Sequence, residues 1–231
     1  MPRSARALLA ALVLLNGGAC AEERALAGIE GGYRALLFLP AHYGEQPRWP
    51  LLLYLHGAAE RGDDLERAAA TGPPKEIRSG RALAMIVVAP LLPADQRWDP
   101  GRLGAVLDAV AAKEHVDPER VYVTGKSIGG FGTWALAAAF PRRFAALVPV
   151  AAAGDPDTIC ALAAVPVWAF HNREDPVVAV AKDEAGIAAL ERCGGKARRT
   201  VFPATGHDAW TAAYAKPELY EWLLVQRRTG S

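Results

Sequence analysis

The chain has 231 residues, 52% of them apolar and 22% charged, with 26 Lys and Arg against 25 Asp and Glu. That apolar share builds a core and excludes wholesale disorder. A formal charge of +1 excludes a nucleic-acid binder that depends on phosphate contacts. Three cysteines are too few for a disulfide scaffold and are not spaced as a zinc site.

Arg3 and Arg6 precede an apolar run, Ala7 to Leu15, and small residues ending Ala19-Cys20-Ala21. A positive start, a short apolar stretch and an Ala-x-Ala pattern read as an export signal over residues 1–21, with one domain over 22–231. The run is too short for a bilayer span, which takes about 20 residues. Two other readings stand beside it. One is a buried N-terminal helix. The other is a lipoprotein acylated at Cys20, although Gly17 stands where that signal usually has a larger aliphatic. Cleavage after Ala21 leaves 24 basic against 25 acidic residues, so charge names no partner for the mature chain. A periplasmic or secreted protein meets an oxidising compartment, where Cys160 and Cys193 either pair or remain two buried thiols.

Runs rich in Val, Leu and aromatics recur at 34–40, 50–56, 84–90, 120–124, 146–152, 165–171 and 199–203. Several are nearly continuous rather than alternating, which suits strands buried on both faces of a parallel sheet. Helical patterns lie between them at 101–115, 129–140, 182–193 and 217–228. In the first, Leu103, Val106, Leu107 and Val110 fall on one face, and Asp117-Pro118 ends the stretch. Gly194-Gly195 stops the third; the fourth opens on Pro217 and closes on Arg227-Arg228. The alternation predicts one α/β domain with a mainly parallel central sheet flanked by helices. No insertion between the elements is long enough for a large lid domain.

The sharpest chemical signal is Gly125-Lys126-Ser127-Ile128-Gly129, between a strand and an Ala-rich helix. Gly-x-Ser-x-Gly in that setting is a nucleophile elbow: the turn holds the Ser127 hydroxyl above the sheet, near a helix N-terminus that favours developing negative charge. Two nucleotide motifs overlap it and both fail. Arg120 stands where a P-loop needs its first glycine, and Ala135 where a dinucleotide fingerprint needs its third.

A nucleophilic serine needs a base, and the base an orienting acid. Of the five histidines, His207 lies in a loop leaving the last predicted strand, the expected place for the base in the order Ser, acid, His. His115 closes a helix, and His42 sits in a Pro/Gly-rich loop with no partner in view. The acid falls in His171-Asn-Arg-Glu174-Asp175-Pro176, where Asp175 is held by the following proline. Glu174 and Asp155 are its rivals, and His171 anchors the loop. The oxyanion donors are the N–H of Ile128 and, from the His56-Gly57-Ala58 loop, that of Ala58, with His56 as a brace. Trp98 and Trp210 are candidates for an aromatic wall around an acyl or phenolic group, with plain packing as the other reading; Trp134 is a core residue.

The segments His56-Gly-Ala-Ala-Glu-Arg-Gly62, Gly125-Lys-Ser-Ile-Gly-Gly-Phe-Gly-Thr-Trp134, Asp175-Pro-Val177 and Gly206-His-Asp-Ala-Trp210 together resemble the α/β-hydrolase superfamily. More narrowly they are similar to small exported esterases grouped with feruloyl esterases and polyhydroxyalkanoate depolymerase-like proteins, some labelled predicted peptidases. The resemblance covers about residues 32–229. It implies an α/β-hydrolase fold, catalytic roles for Ser127, Asp175 and His207, and a short-chain, aryl or polymer-linked ester as substrate. Ala59, where the family often has glycine, and Lys126 in the elbow depart from its pattern. The implied two-step acyl transfer needs no metal and no organic cofactor. A serine peptidase of the same fold, and a non-catalytic binding protein on a hydrolase scaffold, are the alternatives.

Overall fold

A computed structural model describes residues 20–228. Eight strands form one sheet: β1 (Cys20–Leu26), β2 (Ala35–Pro40), β3 (Trp49–Leu55), β4 (Ile86–Pro90), β5 (Val116–Lys126), β6 (Ala146–Val150), β7 (Val167–Glu174) and β8 (Ala197–Thr205). Their spatial order is β1-β2-β4-β3-β5-β6-β7-β8. β2 pairs antiparallel with both β1 and β4, and every later pairing is parallel.

Among the described residues, six α-helices cover the two faces. Leu37, Leu53, Val88, Val123 and Leu147 point to the face that packs α2 (Pro100–Ala111), α3 (Ile128–Ala139) and α4 (Val180–Arg192). Their chain neighbours Phe38, Leu52, Val87, Tyr122 and Val148 point the other way, towards α1 (Gly72–Arg78), α5 (Trp210–Tyr214) and α6 (Pro217–Val225). Alternate residues of one strand therefore serve two cores. The strands β3, β4, β6 and most of β5 are buried along their length, which is why they read as continuous apolar runs.

Cys160 and Cys193 form a disulfide with Cα atoms 5.4 Å apart, joining a short helical turn (Ile159–Leu162) to the end of α4. Of the segment read above as an export signal, residues 1–19 lie outside the described residues. The described chain starts inside β1, whose ladder with β2 is irregular between Cys20 and Glu22 and regular from Glu22 to Leu26. Cleavage after Ala21 would leave that regular part intact.

Candidate active site

Only Ser127 separates the end of β5 from the start of α3. So abrupt a reversal puts its backbone at φ 53°, ψ −121°, a region a side-chain-bearing residue enters only when its surroundings hold it there. The two glycines of the motif make room for the turn. A Cβ on Gly125 would lie 2.3 Å from the Gly129 carbonyl oxygen, and one on Gly129 would lie 2.0 Å from that of Leu55. The Ser127 N–H donates to the Val150 carbonyl at 2.9 Å and ties the turn to β6.

Asp175 follows directly on β7. Its Oδ1 accepts the N–H groups of Val177 (2.8 Å) and Val178 (3.0 Å) across Pro176, which leaves Oδ2 for the imidazole of His207. His207 follows β8 through Gly206, whose φ of 88° suits glycine. The Gly206 N–H donates to the Glu174 carbonyl at 3.0 Å, and its carbonyl accepts from Asn172 Nδ2 at 2.9 Å. These two bonds pin the His207 loop to the end of β7. The His207 Nδ1–H then donates to Asp175 Oδ2 at 2.7 Å, and the Ser127 hydroxyl donates to His207 Nε2 at 2.8 Å. Burial pushes the Asp175 carboxyl up, but the bonds from His207, Val178 and Val177 outweigh it and hold the group below the usual carboxylate range.

The rival acids stand elsewhere. Glu174 is exposed, and Asp155 caps a turn by accepting the Asp157 N–H at 3.0 Å. His42 is exposed and bonded to Glu45, and the His115 ring stacks on Tyr43. His171 is fully buried and braces the acid's loop, its Nε2–H donating to the Val178 carbonyl at 2.8 Å.

On the other side of the serine, β3 runs into His56-Gly57-Ala58. His56 is buried and neutral; desolvation lowers it to about 4. Its Nδ1–H donates to the Gly57 carbonyl at 2.7 Å and its Nε2 accepts the Leu92 N–H at 3.0 Å, so the ring clamps the loops after β3 and β4 together. Ala58 and Ile128 each open a helical segment, where an N–H has no carbonyl one turn back. Glu60 and Lys126 form a buried ion pair at 2.8 Å, and the second Glu60 oxygen accepts the Gly57 N–H at 3.0 Å.

Trp98 and Trp210 each pack against a different histidine. Trp98 is 7% exposed, its indole N–H donates to the His56 carbonyl at 3.3 Å, and its ring meets His56 and Tyr33 edge to face. Trp210 packs edge to face on His207, with Lys126 Nζ 4.2 Å from its ring centre. Trp134 is buried in the core.

A cleft of about 420 Å³ opens beside the serine, lined by Arg61, Arg97, Trp98, Ile128, Phe131 and small residues of α3. A larger hollow, about 660 Å³, lies towards the opposite end of the strands among Arg48, Leu107, Phe140 and Arg142, away from Ser127 and His207. Reading the sequence missed Arg61, Arg97 and Phe131 as cleft residues, the Glu60–Lys126 pair and the Asp183 carboxylate behind His171. Glu60, Arg61, Lys126 and Phe131 lie inside the quoted motifs, where Lys126 stands out only as a departure from the pattern. Among the described residues no group of three or more His, Cys, Asp or Glu is placed to hold a metal ion. No described helix is long and apolar enough to cross a membrane.

Residues 103–162 match the model of the prolyl oligopeptidase family. The chain is 31% identical over 140 residues to a Nocardia uniformis subsp. tsuyamanensis protein named "Putative esterase NocK", a match covering 55% of this chain and 40% of that one. Among solved structures, a thermostable esterase superposes with a TM-score of 0.75 at 28% identity, covering 90% of this chain and 63% of that one. A ferulic acid esterase superposes at 0.65 and 18% identity, covering 87% and 95%. The chain thus spans less than two thirds of NocK and of the thermostable esterase. Its fold is that of the α/β-hydrolases, and its likeness is to the esterase group within them.

Proposed function

We propose that the protein is a serine hydrolase of carboxylic esters that works through an acyl-enzyme on Ser127. The observation that carries this reading is the hydrogen-bonded line Ser127–His207–Asp175, at 2.8 and 2.7 Å, on a strained turn between β5 and α3. His207 takes the hydroxyl proton through Nε2 as the Ser127 oxygen attacks the ester carbonyl. The N–H groups of Ile128 and Ala58 stabilise the oxyanion of the tetrahedral intermediate; losing one such donor typically costs about 10²–10³ in kcat. His207 then gives its proton to the leaving alcohol, and water repeats the sequence on the acyl-enzyme. Asp175 stays ionised, fixes the Nδ1–H tautomer and stabilises the imidazolium. The scheme calls for no metal or organic cofactor.

Export to the periplasm or outside, directed by residues 1–21, belongs to the same reading. The Cys160–Cys193 disulfide supports it, since such bonds persist in oxidising compartments.

A fluorophosphonate probe should label the wild-type protein and not Ser127→Ala, and the variant should lose hydrolysis of a short nitrophenyl ester. Retained turnover in purified Ser127→Ala would remove the assignment. The match of residues 103–162 to a peptidase family favours a second reading, a peptidase using the same three groups. A panel of acetyl, butyryl and feruloyl esters beside a peptide substrate separates the two. Failure to label Ser127, together with no turnover across the panel, would leave a binding protein on a hydrolase scaffold.

A further inference from the structure

The cleft beside Ser127 is built from three segments. Ile128 and Phe131 come from the first turns of α3, Arg97 and Trp98 from the loop after β4, and Arg61 from the loop after β3. Its α3 side also carries Gly132 and Ala135, which share one helix face with Ile128 and Phe131. Gly132 is needed there, because a Cβ on it would come within 2.9 Å of the Trp98 ring. The body of the cleft is thus an indole held in place and a Phe131 ring that is 41% exposed. It begins at Ile128, the residue next to the nucleophile, within reach of a substrate attacked at Ser127.

The charge of this cleft is one-sided. Both of its charged residues are arginines and no carboxylate lines it. Neither guanidinium has an ion-pair partner among the described residues. The nearby Lys126 and Glu60 neutralise each other at 2.8 Å. Arg61 has a further feature: its Nε is buried without a hydrogen-bond acceptor among the described residues. A buried donor left so costs about 1–3 kcal/mol. A carboxylate suits both arginines of the lining, since its two oxygens match the parallel N–H groups of a guanidinium edge. A volume of about 420 Å³ falls in the range of small-molecule sites and holds an aromatic or short aliphatic body bearing one such group.

We propose that this cleft selects esters that carry a free carboxylate, with Arg61 and Arg97 on the carboxylate and Trp98 and Phe131 on the body that bears it. The proposal rests on the hydrolase reading above and names the substrate class of that site. The carboxylate reaches the cleft from either side of the ester bond. It belongs to the acyl part in a half-ester of a dicarboxylic acid, and to the alcohol part in an acylated hydroxy acid. Hydrolysis consumes one water in either case and leaves an alcohol and an acid.

Two isosteric pairs separate these sources, each setting a carboxylate against its uncharged amide. Monomethyl terephthalate against methyl 4-carbamoylbenzoate tests the acyl side; 3-acetoxybenzoate against 3-acetoxybenzamide tests the alcohol side. In at least one pair the anion should have kcat/KM about ten-fold higher or more, the worth of one charge-assisted hydrogen bond. Arg61→Gln and Arg97→Gln should each bring that ratio towards one, and Arg61→Lys should restore it only in part, because the fork is lost while the charge stays. The same changes at Arg142, in the distant hollow, should leave the ratio where it is. A second readout needs no turnover. Terephthalate or 3-hydroxybenzoate should bind Ser127→Ala by calorimetry, and binding should weaken about ten-fold when Arg97→Gln is added. Ratios near one in both pairs, or ratios unmoved by the arginine variants, overturn the proposal while leaving the hydrolase reading intact. Loss of turnover on all four esters with no Ser127 labelling overturns that reading, and the calorimetry still decides the cleft.

Discussion

Asp183 on α4 is 1% exposed, and neither of its carboxylate oxygens has a hydrogen-bond partner among the described residues. His171 Nδ1 lies 3.9 Å from its Oδ2. The His171 Nε2–H donates to the Val178 carbonyl, and its Nδ1, which faces Asp183, makes no hydrogen bond among the described residues. Burial pushes Asp183 up to about 7; the Arg199 guanidinium opposes this and Glu184 adds to it. The sign for stability follows. Below about pH 4 the group is neutral whether the chain is folded or not, and nothing is lost. Between about pH 4 and 7 only the unfolded chain ionises, so stability falls as pH rises, by roughly 4 kcal/mol in all. Asp183→Asn removes the titration. It should raise Tm at pH 8 by about 10 °C while leaving it unchanged near pH 4. Melting curves of both proteins at the two pH values check this, and equal shifts at both would show that the carboxyl does not titrate in this window. His171 also faces Asp175 Oδ2 at 3.3 Å, so this buried group sits two side chains behind His207, the proposed base.

At the scale of elements, the two halves of the site come from different loops and must be held in register. The buried Glu60–Lys126 pair does this: Lys126 belongs to the elbow, and Glu60 holds the Gly57 N–H of the loop that offers Ala58. Removing one partner strands a buried charge, at a cost of about 3–5 kcal/mol; replacing both with apolar residues often costs far less. Lys126→Met should therefore lower Tm markedly, and Glu60→Leu/Lys126→Met should recover most of it. The double variant should still show a reduced kcat on a nitrophenyl ester, because the Gly57 N–H has lost its acceptor and the loop its anchor. Recovery of both Tm and kcat would mean that the pair only packs. No spacing rule links residue 60 to residue 126, and the contact exists only because β3 and β5 are neighbours in the sheet. The elements themselves were legible where their own pattern decided them. The seven central runs and four helical patterns became β2 to β8, α2, α3, α4 and α6. The misses have physical causes. β1 carries Glu22, Glu23 and Arg24 and owes its conformation to pairing with β2. α1 carries Pro73-Pro74 in its first turn, which reads as a loop although proline is welcome there. α5 is five residues, too short to show a period. β5 starts at Val116, earlier than its apolar run, because the pairing with β3 skips over Pro118 between Val116 and Val121.

For the whole molecule, a parallel sheet sets the chemistry at one end. Ser127, Asp175 and His207 follow the C-terminal ends of β5, β7 and β8, and Ala58 and Trp98 follow β3 and β4, so five strands and both cores hold one constellation. Stability of that sheet is therefore stability of the site, and the disulfide is the covalent part of it. Cys160 and Cys193 are 33 residues apart, and the loop they close contains β7, Asp175 and the whole of α4. Closing a loop of that length removes unfolded-state entropy worth about 4 kcal/mol. In a domain of this size that corresponds to about 10 °C in Tm. The bond persists only in an oxidising compartment, so chain exported with residues 1–21 attached should melt about 10 °C higher than the same chain retained in a reducing cytosol. Cys160→Ala/Cys193→Ala should melt with the reduced form, while kcat at 25 °C changes little because no triad contact involves either sulfur. Scanning calorimetry with and without reductant, beside a thiol count on the denatured exported protein, decides the matter. Two free thiols and one Tm under both conditions would remove the disulfide from the mature protein and, with it, this support for export.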